Sequence, residues 1–455
     1  MKLRIIILAA GKGTRMRSKL PKVLHKVANK PMIEHVIECA RALNPSAIDL
    51  IYGHGAEQLK QRVTGDDLNW IEQQQQLGTG HAVQQAIPFI KDDEKVVVLY
   101  GDVPLLTAET LQALLDASAD TDLGLLTMFL NNPVGYGRII RDQDKQIQGI
   151  VEQKDANLDQ LRIDEVNTGI MVASGAPFKS WLKDLSNDNA QQEYYLTDVV
   201  AMAAEQGVQI ASAQPQQTSE VEGANNRQQL ASLERAFQWR MAEQVMTAGA
   251  TLVDPARFDC RGQLQVGEDV VIDVNVVFEG NVQLGDGVII EPNCVIKDAS
   301  IGDGSVIRAN SHIEGASLGK NCKVGPFGRL RVGSTLADEA QIGNFVEMKK
   351  SRLGKGSKAN HLTYLGDTEV GEFANIGAGT ITCNYDGVNK SVTEIGDNAF
   401  IGSNSSLVAP VSIGAKATVG AGSVITRTVE AEELAVGRAK QRNISNWQRP
   451  QKKGS

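Results

Sequence analysis

The sequence predicts two unlike domains: an α/β half with a mixed, mainly parallel sheet, and a C-terminal parallel β-helix of hexapeptide repeats. Three observations carry this. Strand-like and helix-like segments alternate through the first half, one long helical stripe follows, and then an apolar residue recurs every six positions. The chain has 455 residues, enough for two large domains or three smaller ones. A hydrophobic fraction of 42% and a charged fraction of 22% suit a sizeable core. The 44 glycines and 5% aromatic content point to small repeated units in part of the chain.

In the first half, residues 3–10 form a short apolar run that stops at a Gly-rich turn, which reads as a buried strand. Residues 31–43 carry helical spacing through Met32, Ile33, Val36, Ile37 and Ala40. Residues 48–52 and 96–100 read as further strands, ending at Gly53 and at Gly101-Asp102. Strands alternating with helices imply right-handed β-α-β units in a Rossmann-like sheet. Ligands of such sheets bind at the carboxyl ends of the strands, where the loop after Ala10 and the Gly101-Asp102 turn both lie. Residues 225–248 read as one amphipathic helix with Leu230, Leu233, Phe237, Met241 and Val245 on a stripe. The expected division is 1–227, a helical linker at 228–248, and 249–455.

The second half repeats. Val266, Ile272, Phe278, Leu284, Ile290 and Ile296 are six apart. After a five-residue step the series resumes at Ile301, Ile307 and Ile313. After another it runs through Leu318, Val324, Leu330, Leu336, Ile342 and Met348. It closes with Ile395, Ile401, Leu407, Ile413, Val419 and Ile425. Neither an α-helix nor a plain strand has this period, whereas a parallel β-helix does. Each hexad makes one flat face, and three faces, eighteen residues, make one coil. An insertion at Cys383 to Lys390 interrupts the rhythm and reads either as a functional loop or as a tolerated surface loop.

Lysine plus arginine number 46 against 54 acidic residues, so a net charge of −8 gives no support for nucleic-acid binding or an anionic membrane partner. No run is long enough to insert in a membrane, and the apolar run at 5–10 is too short for a signal core. The five cysteines (Cys39, Cys260, Cys294, Cys322, Cys383) are scattered without metal-type spacing, which fits a reducing cytoplasm.

The segment Leu8 to Met16 ends a strand and opens a polar loop whose backbone N–H groups can cradle phosphate, with Lys12, Arg15 and Lys22 adding positive charge. On its own, Gly11-Lys12-Gly13 reads equally as a tight turn. Asp102, directly after a strand, is a hard oxygen ligand of the kind Mg²⁺ takes, or else a turn or cap residue. In the second half His361 lies between ordered hexads, and Arg331 and Lys349 are eighteen positions apart, one coil in this architecture. Stacked, they form either a cationic patch for a sugar phosphate or a solvated charged face.

Together these features resemble the sugar-1-phosphate nucleotidyltransferases. The residues that carry the likeness are Leu8 to Met16 with Pro21-Lys22, Gln76 to Ala82, Tyr100 to Pro104, Gly135 to Arg138, Val151-Glu152, Asn167 to Gly169, and Glu222 to Arg227. With the β-helix, nearly the whole chain is similar to the bifunctional UDP-N-acetylglucosamine pyrophosphorylase and glucosamine-1-phosphate N-acetyltransferase family. That resemblance implies a left-handed β-helix, a homotrimer, and synthesis of UDP-N-acetylglucosamine for peptidoglycan and lipopolysaccharide precursors. The alternative is a monofunctional nucleotidyltransferase with a scaffolding β-helix.

By the same resemblance, Leu8, Ala9, Ala10, Gly11 and Lys22 would hold UTP, while Gln73, Gly78 and Thr79 would read its uracil. Tyr100, Gly101, Gly137, Glu152 and Asn167 would line the pocket for N-acetylglucosamine-1-phosphate, and Asp102 and Asn225 would hold Mg²⁺. Arg15 and Lys22 would offset transition-state charge. His361 would be the general base of acetyl transfer, with Glu347 orienting the site. Arg331, Lys349, Tyr364, Asn375 and Lys390 would bind glucosamine-1-phosphate. Ala378, Asn384, Tyr385, Ser403, Ala421 and Arg438 would contact acetyl-CoA. Two positions depart from the family pattern: Asn29 stands where Gly is usual, and Val332 where Pro is usual. Asn tolerates left-handed backbone angles, so the first turn is expected to persist.

Overall fold

The structure, a computed structural model, describes residues 2–11, 13–53 and 56–452, so Lys12 lies outside the described residues. The chain divides into two compact units, Met1–Phe237 and Gln238–Ser455. The division falls within the helix Arg227–Thr247, whose first turns bury Leu233 in the first unit and whose later turns bury Ala242 and Val245 in the second.

The first unit is built on one twisted sheet. Its main path runs Ile210–Ala213, Leu123–Phe129, Glu165–Ser174, Glu94–Tyr100, Lys2–Ala9, Ala47–Tyr52, Leu68–Glu72. Continuous apolar runs such as Ile5-Ile6-Ile7 and Val96 to Leu99 are buried on both faces, because helices cover both sides of the sheet. Lys2–Ala9 pairs in parallel with both Ala47–Tyr52 and Glu94–Tyr100, as the alternation of elements requires. Glu165–Ser174 runs antiparallel to both of its long neighbours, which makes the sheet mixed. A buried ion triad pins the amino ends of the central strands: Arg4 pairs with Asp49 at 2.8 Å and Glu94 at 2.6 Å. Such a triad fixes register more than it adds net stability. The opposite, carboxyl ends carry the site. Asn29 adopts φ 67°, the left-handed turn that its side chain tolerates.

The second unit is a stacked parallel coil. Every residue of the six-step series is buried except Val266 in the first coil, which is half-buried. Val270, Val276, Val282, Val288 and Cys294 are buried beside them, so two rows per face fill the interior. Coil length is not uniformly eighteen residues. Phe258 pairs with Val276 and Arg329 with Glu347, but Val295 pairs with His312 and Glu347 with Tyr364, each seventeen apart. The insertion lengthens one coil to twenty-five, since Thr368 pairs with Thr393. Each five-residue step in the sequence is thus absorbed at a corner while the inward rows stay aligned. The burial pushes the thiols of Cys260, Cys294 and Cys322 up to about 11, so they behave as apolar filler.

One corner is built from residues with left-handed backbone: Asn293, Asn310, Phe327, Phe345, Leu362, Gly379 and Asn404 follow one another coil by coil. Asn and Gly accept this conformation readily, but Phe and Leu do not. Phe327 and Phe345 stack at 5.1 Å, which offsets part of that strain.

Adjacent isoleucines test the inward rows. Ile290 is fully buried and Ile289 is 41% exposed. Ile290→Ala should destabilise the β-helix by about 2–5 kcal/mol. Ile289→Ala should change it by less than about 1 kcal/mol, both read from denaturant midpoints.

Candidate functional site

Two regions gather the residues singled out by sequence, one in each unit. In the first unit the strand Lys2–Ala9 delivers Leu8, Ala9, Ala10 and Gly11 to its carboxyl end. They line a cavity of about 430 Å³ together with Lys22, Gln73, Gly78, Thr79, Tyr100 and Asp102. A second cavity of about 280 Å³ shares Tyr100 and Asp102 and adds Arg15 and Asn225. Gly101 sits where Leu8 and Tyr100 end side by side, its N–H donating to the Leu8 carbonyl at 2.9 Å. A Cβ at Gly101 would meet that carbonyl oxygen at 3.3 Å.

Lys22 links the two cavities. Its ammonium donates to Asp102 Oδ2 at 2.6 Å and to Asn225 Oδ1 at 3.1 Å. The two expected metal ligands therefore converge on one point where positive charge already sits. Both are hard oxygen donors, and Mg²⁺ commonly takes one or two such protein ligands and fills its shell with water and phosphate oxygens. The residues fit that ion, although among the described residues no three His, Cys, Asp or Glu side chains gather around one point.

Gly137, Glu152 and Asn167 come together, with Glu152 near enough for its charge to act on Tyr100. The Asn167 N–H donates to the Gly137 carbonyl at 2.9 Å, and a Cβ on Gly137 would lie 3.3 Å from Glu152 Oε1. Burial raises the Glu152 carboxyl, against a hydrogen bond from the Thr197 hydroxyl. Burial also pushes the Tyr100 phenol up, with the charges of Glu152 and Asp102 acting in the same direction. Arg15 is exposed and makes no ion pair among the described residues.

In the second unit the coil brings Arg331, Glu347 and Lys349 together. Leu330 pairs with Met348, and one residue on, Arg331 donates its N–H to the Met348 carbonyl. The Arg331 guanidinium holds Glu347 at 2.8 Å, and Glu347 pairs in register with Tyr364 in the next coil. Lys390, from the insertion, joins this patch. Its contact and its charge, followed by desolvation and the charge of Arg331, hold Lys349 below the usual lysine range.

His361 stands on a different edge of the coil, in a column that the register defines. Asn344 pairs with His361, and Ile376 pairs with Ile401, which pairs with Val419. Two residues beyond those three come Ala378, Ser403 and Ala421. The column is tied by Gly379 N–H to His361 O, Asn404 N–H to Ala378 O and Gly422 N–H to Ser403 O. Arg438 closes it by donating to the Ala421 carbonyl. Asn375 lies on the face leading into this edge. Asn384 is buried with its amide on Asp367, whereas Tyr385 is exposed at the base of the insertion, bridged antiparallel to Lys390.

Sequence reasoning missed Asn344, whose Oδ1 is 3.1 Å from His361 Nδ1, and it gave no role of its own to His81 of the Gln76 to Ala82 motif, whose Nδ1 is 3.0 Å from Gln73 Nε2. The only signal for Asn344 is its seventeen-residue offset from His361, visible once coil length is known.

Residues 5–140 match the MobA-like NTP transferase domain. Residues 260–353 match the GMPPB C-terminal domain, and 392–427 the hexapeptide repeat of succinyl-transferase. The chain is 74% identical over 453 residues to the bifunctional protein GlmU of Idiomarina loihiensis, covering 100% of this chain and 99% of that protein. It is 59% identical to the bifunctional protein GlmU of Stutzerimonas stutzeri, covering 100% of both. To that of Pseudoalteromonas atlantica it is 58% identical, over 99% of this chain and 100% of the other.

The cationic patch has a direct check. With Lys390→Ala the main repulsion on Lys349 is gone, so the Lys349 titration should move up toward the ordinary lysine value. A side-chain NMR titration should then find Lys349 protonated to higher pH than in the parent protein.

Proposed function

The chain belongs to the GlmU family of bifunctional proteins, and from that premise we propose that its two sites perform successive transfers. The β-helix moves acetyl from acetyl-CoA to glucosamine-1-phosphate. The α/β unit then moves uridylyl from UTP to N-acetylglucosamine-1-phosphate and releases pyrophosphate. The observation that carries the bifunctional reading is the edge on which His361 stands in one column with Ala378, Ser403 and Ala421. A scaffold alone needs no imidazole there.

For acetyl transfer the amine must lose a proton before it attacks the thioester carbonyl. His361 takes that proton. Asn344 positions the ring, because an amide oxygen at Nδ1 holds a proton there and leaves Nε2 free to accept. Arg331, Lys349 and Lys390 hold the phosphate of the sugar, and Glu347 fixes the Arg331 fork. Tyr364 and Asn375 contact the sugar. Successive coils rise about 4.8 Å, so Ala378 to Ala421 gives an extended thioester chain a small-residue edge of about 10 Å. Asn384, Tyr385 and Arg438 complete the acetyl-CoA contacts.

For uridylyl transfer the sugar phosphate attacks the α-phosphorus as pyrophosphate leaves, a reaction that needs positioning and charge neutralisation. Backbone N–H groups around Leu8 to Gly11, together with Lys22 and Arg15, meet the phosphates. Gln73, Gly78 and Thr79 hold the base; Tyr100, Gly101, Gly137, Glu152 and Asn167 hold the sugar. Asp102 and Asn225 would hold Mg²⁺, which when bound neutralises phosphate charge.

We take the assembled form to be a homotrimer. Support comes from an exposed apolar edge, Phe327, Phe345 and Leu362, beside the acetyl-transfer residues. A cytoplasmic setting is supported by five free cysteines and by the absence, among the described residues, of any helix long and apolar enough to cross a membrane.

The two sites separate by mutation. Asp102→Ala or chelation of divalent ions should lower pyrophosphate release by about 100-fold or more and leave CoA release unchanged. His361→Ala should lower CoA release by about 100-fold or more and leave pyrophosphate release unchanged. Loss of both activities in either variant, or of neither, contradicts the assignment.

A further inference from the structure

Gln73 lines the larger cavity of the α/β unit and is itself only 3% exposed. Its amide nitrogen donates to the Gly78 carbonyl at 3.1 Å and lies 3.0 Å from His81 Nδ1. A carbonyl oxygen only accepts, so the Gln73 atom facing Gly78 is the NH₂ group, and the amide has one possible orientation. Its second N–H is then directed at His81 Nδ1, which must present a lone pair. Gln85 Nε2 also approaches the ring, at 3.3 Å from Nε2, but already donates to the His81 carbonyl at 2.9 Å. A neutral imidazole has one acceptor nitrogen, and the shorter contact to the buried amide assigns it to Nδ1.

Both Gln73 N–H groups are therefore consumed inside the protein, while the amide oxygen has no donor among the described residues. The Gln73 backbone is fixed as well, its N–H bonded to the Tyr52 carbonyl at 2.8 Å. The segment around Gly78 is tied on both sides, with the Tyr194 N–H on the Leu77 carbonyl at 2.8 Å and the Gly80 N–H on the Tyr194 carbonyl at 2.8 Å, and no side chain fits at Gly78, where a Cβ would meet the Tyr194 carbonyl oxygen at 2.5 Å. The His81 ring lies 6.1 Å from that of Tyr194, a contact that holds it in place.

We infer that His81 is a specificity-positioning residue, which locks the Gln73 amide so that only its oxygen faces the nucleobase. This rests on the reading of Gln73 as the base contact. An acceptor there pairs with a pyrimidine that carries N3–H, as uracil does. Cytosine presents a lone pair at N3, so two acceptors would face each other, and a buried polar site left unpaired discriminates strongly. Inverting the amide to suit cytosine breaks the His81 and Gly78 bonds together.

The test is the ratio of kcat/KM for UTP to that for CTP, with N-acetylglucosamine-1-phosphate as acceptor and pyrophosphate as readout. Both substrates are measured on one preparation, so any loss of folded protein cancels from the ratio. His81→Phe keeps a ring beside Tyr194 but removes the acceptor, and should lower the ratio roughly fivefold or more. His81→Asn places an amide oxygen near the Nδ1 position and should restore it. An unchanged ratio in His81→Phe, or an equal fall in His81→Asn, overturns the role of His81. Gln73→Leu separates the underlying reading: if that variant keeps the parent ratio, Gln73 does not read the base. If it lowers the ratio while His81→Phe does not, only the His81 inference fails.

Discussion

Everything in the second unit depends on the parallel stacking of six-residue faces. An inward row of Ile, Leu and Val is removed from water only if the same row lies above and below it. Each buried side chain of this kind contributes about 1.5–3 kcal/mol, so the rows enforce register along the whole coil. That register, and no local sequence signal, sets Arg331 beside Lys349 and His361 above Asn344. It also tolerates change at the corners, where seventeen-, eighteen- and twenty-five-residue coils share one interior. The residues proposed for acetyl transfer lie at the corners, because the interior has no freedom to vary.

The α/β unit meets a different constraint. Its strands end together, and Leu8, Tyr100 and their following loops converge there because the chain must turn away from the sheet. Gly101 lets two strand ends approach, and Lys22 reaches back to bridge Asp102 and Asn225. The resulting cavities are adjacent and share Tyr100 and the charged Asp102, which suits a nucleotide and a sugar phosphate whose phosphate oxygen must reach the α-phosphorus.

Much of this was legible in the sequence, for identifiable reasons. The period of six has no competing secondary structure, so the inward rows from Ile272 to Ile425 could be counted directly. The strand at Lys2–Ala9 and the helix at Met32–Ala42 were marked by an apolar run and by helical spacing. Direction was not legible: nothing in Glu165–Ser174 shows that it runs against both neighbours, since antiparallel and parallel buried strands have the same apolar composition. Uniform eighteen-residue coils were an idealisation, because a five-residue step changes the corner and leaves the faces alone. The bond between Gln73 and His81 was hidden by chemistry, since amide orientation depends on a backbone carbonyl that no side-chain pattern records.

A cross-link across two coils measures the stacking register itself. Cysteines at Arg331→Cys and Lys349→Cys, in a Cys383→Ser background, would lie on neighbouring parallel strands about 4.8 Å apart, within disulfide reach. Mild oxidation should join this pair within one chain, and far faster than an Arg331→Cys, Gly366→Cys pair two coils apart. If the first pair stays reduced, or links no faster than the second, the stacked register and the acetyl-transfer site built on it are wrong.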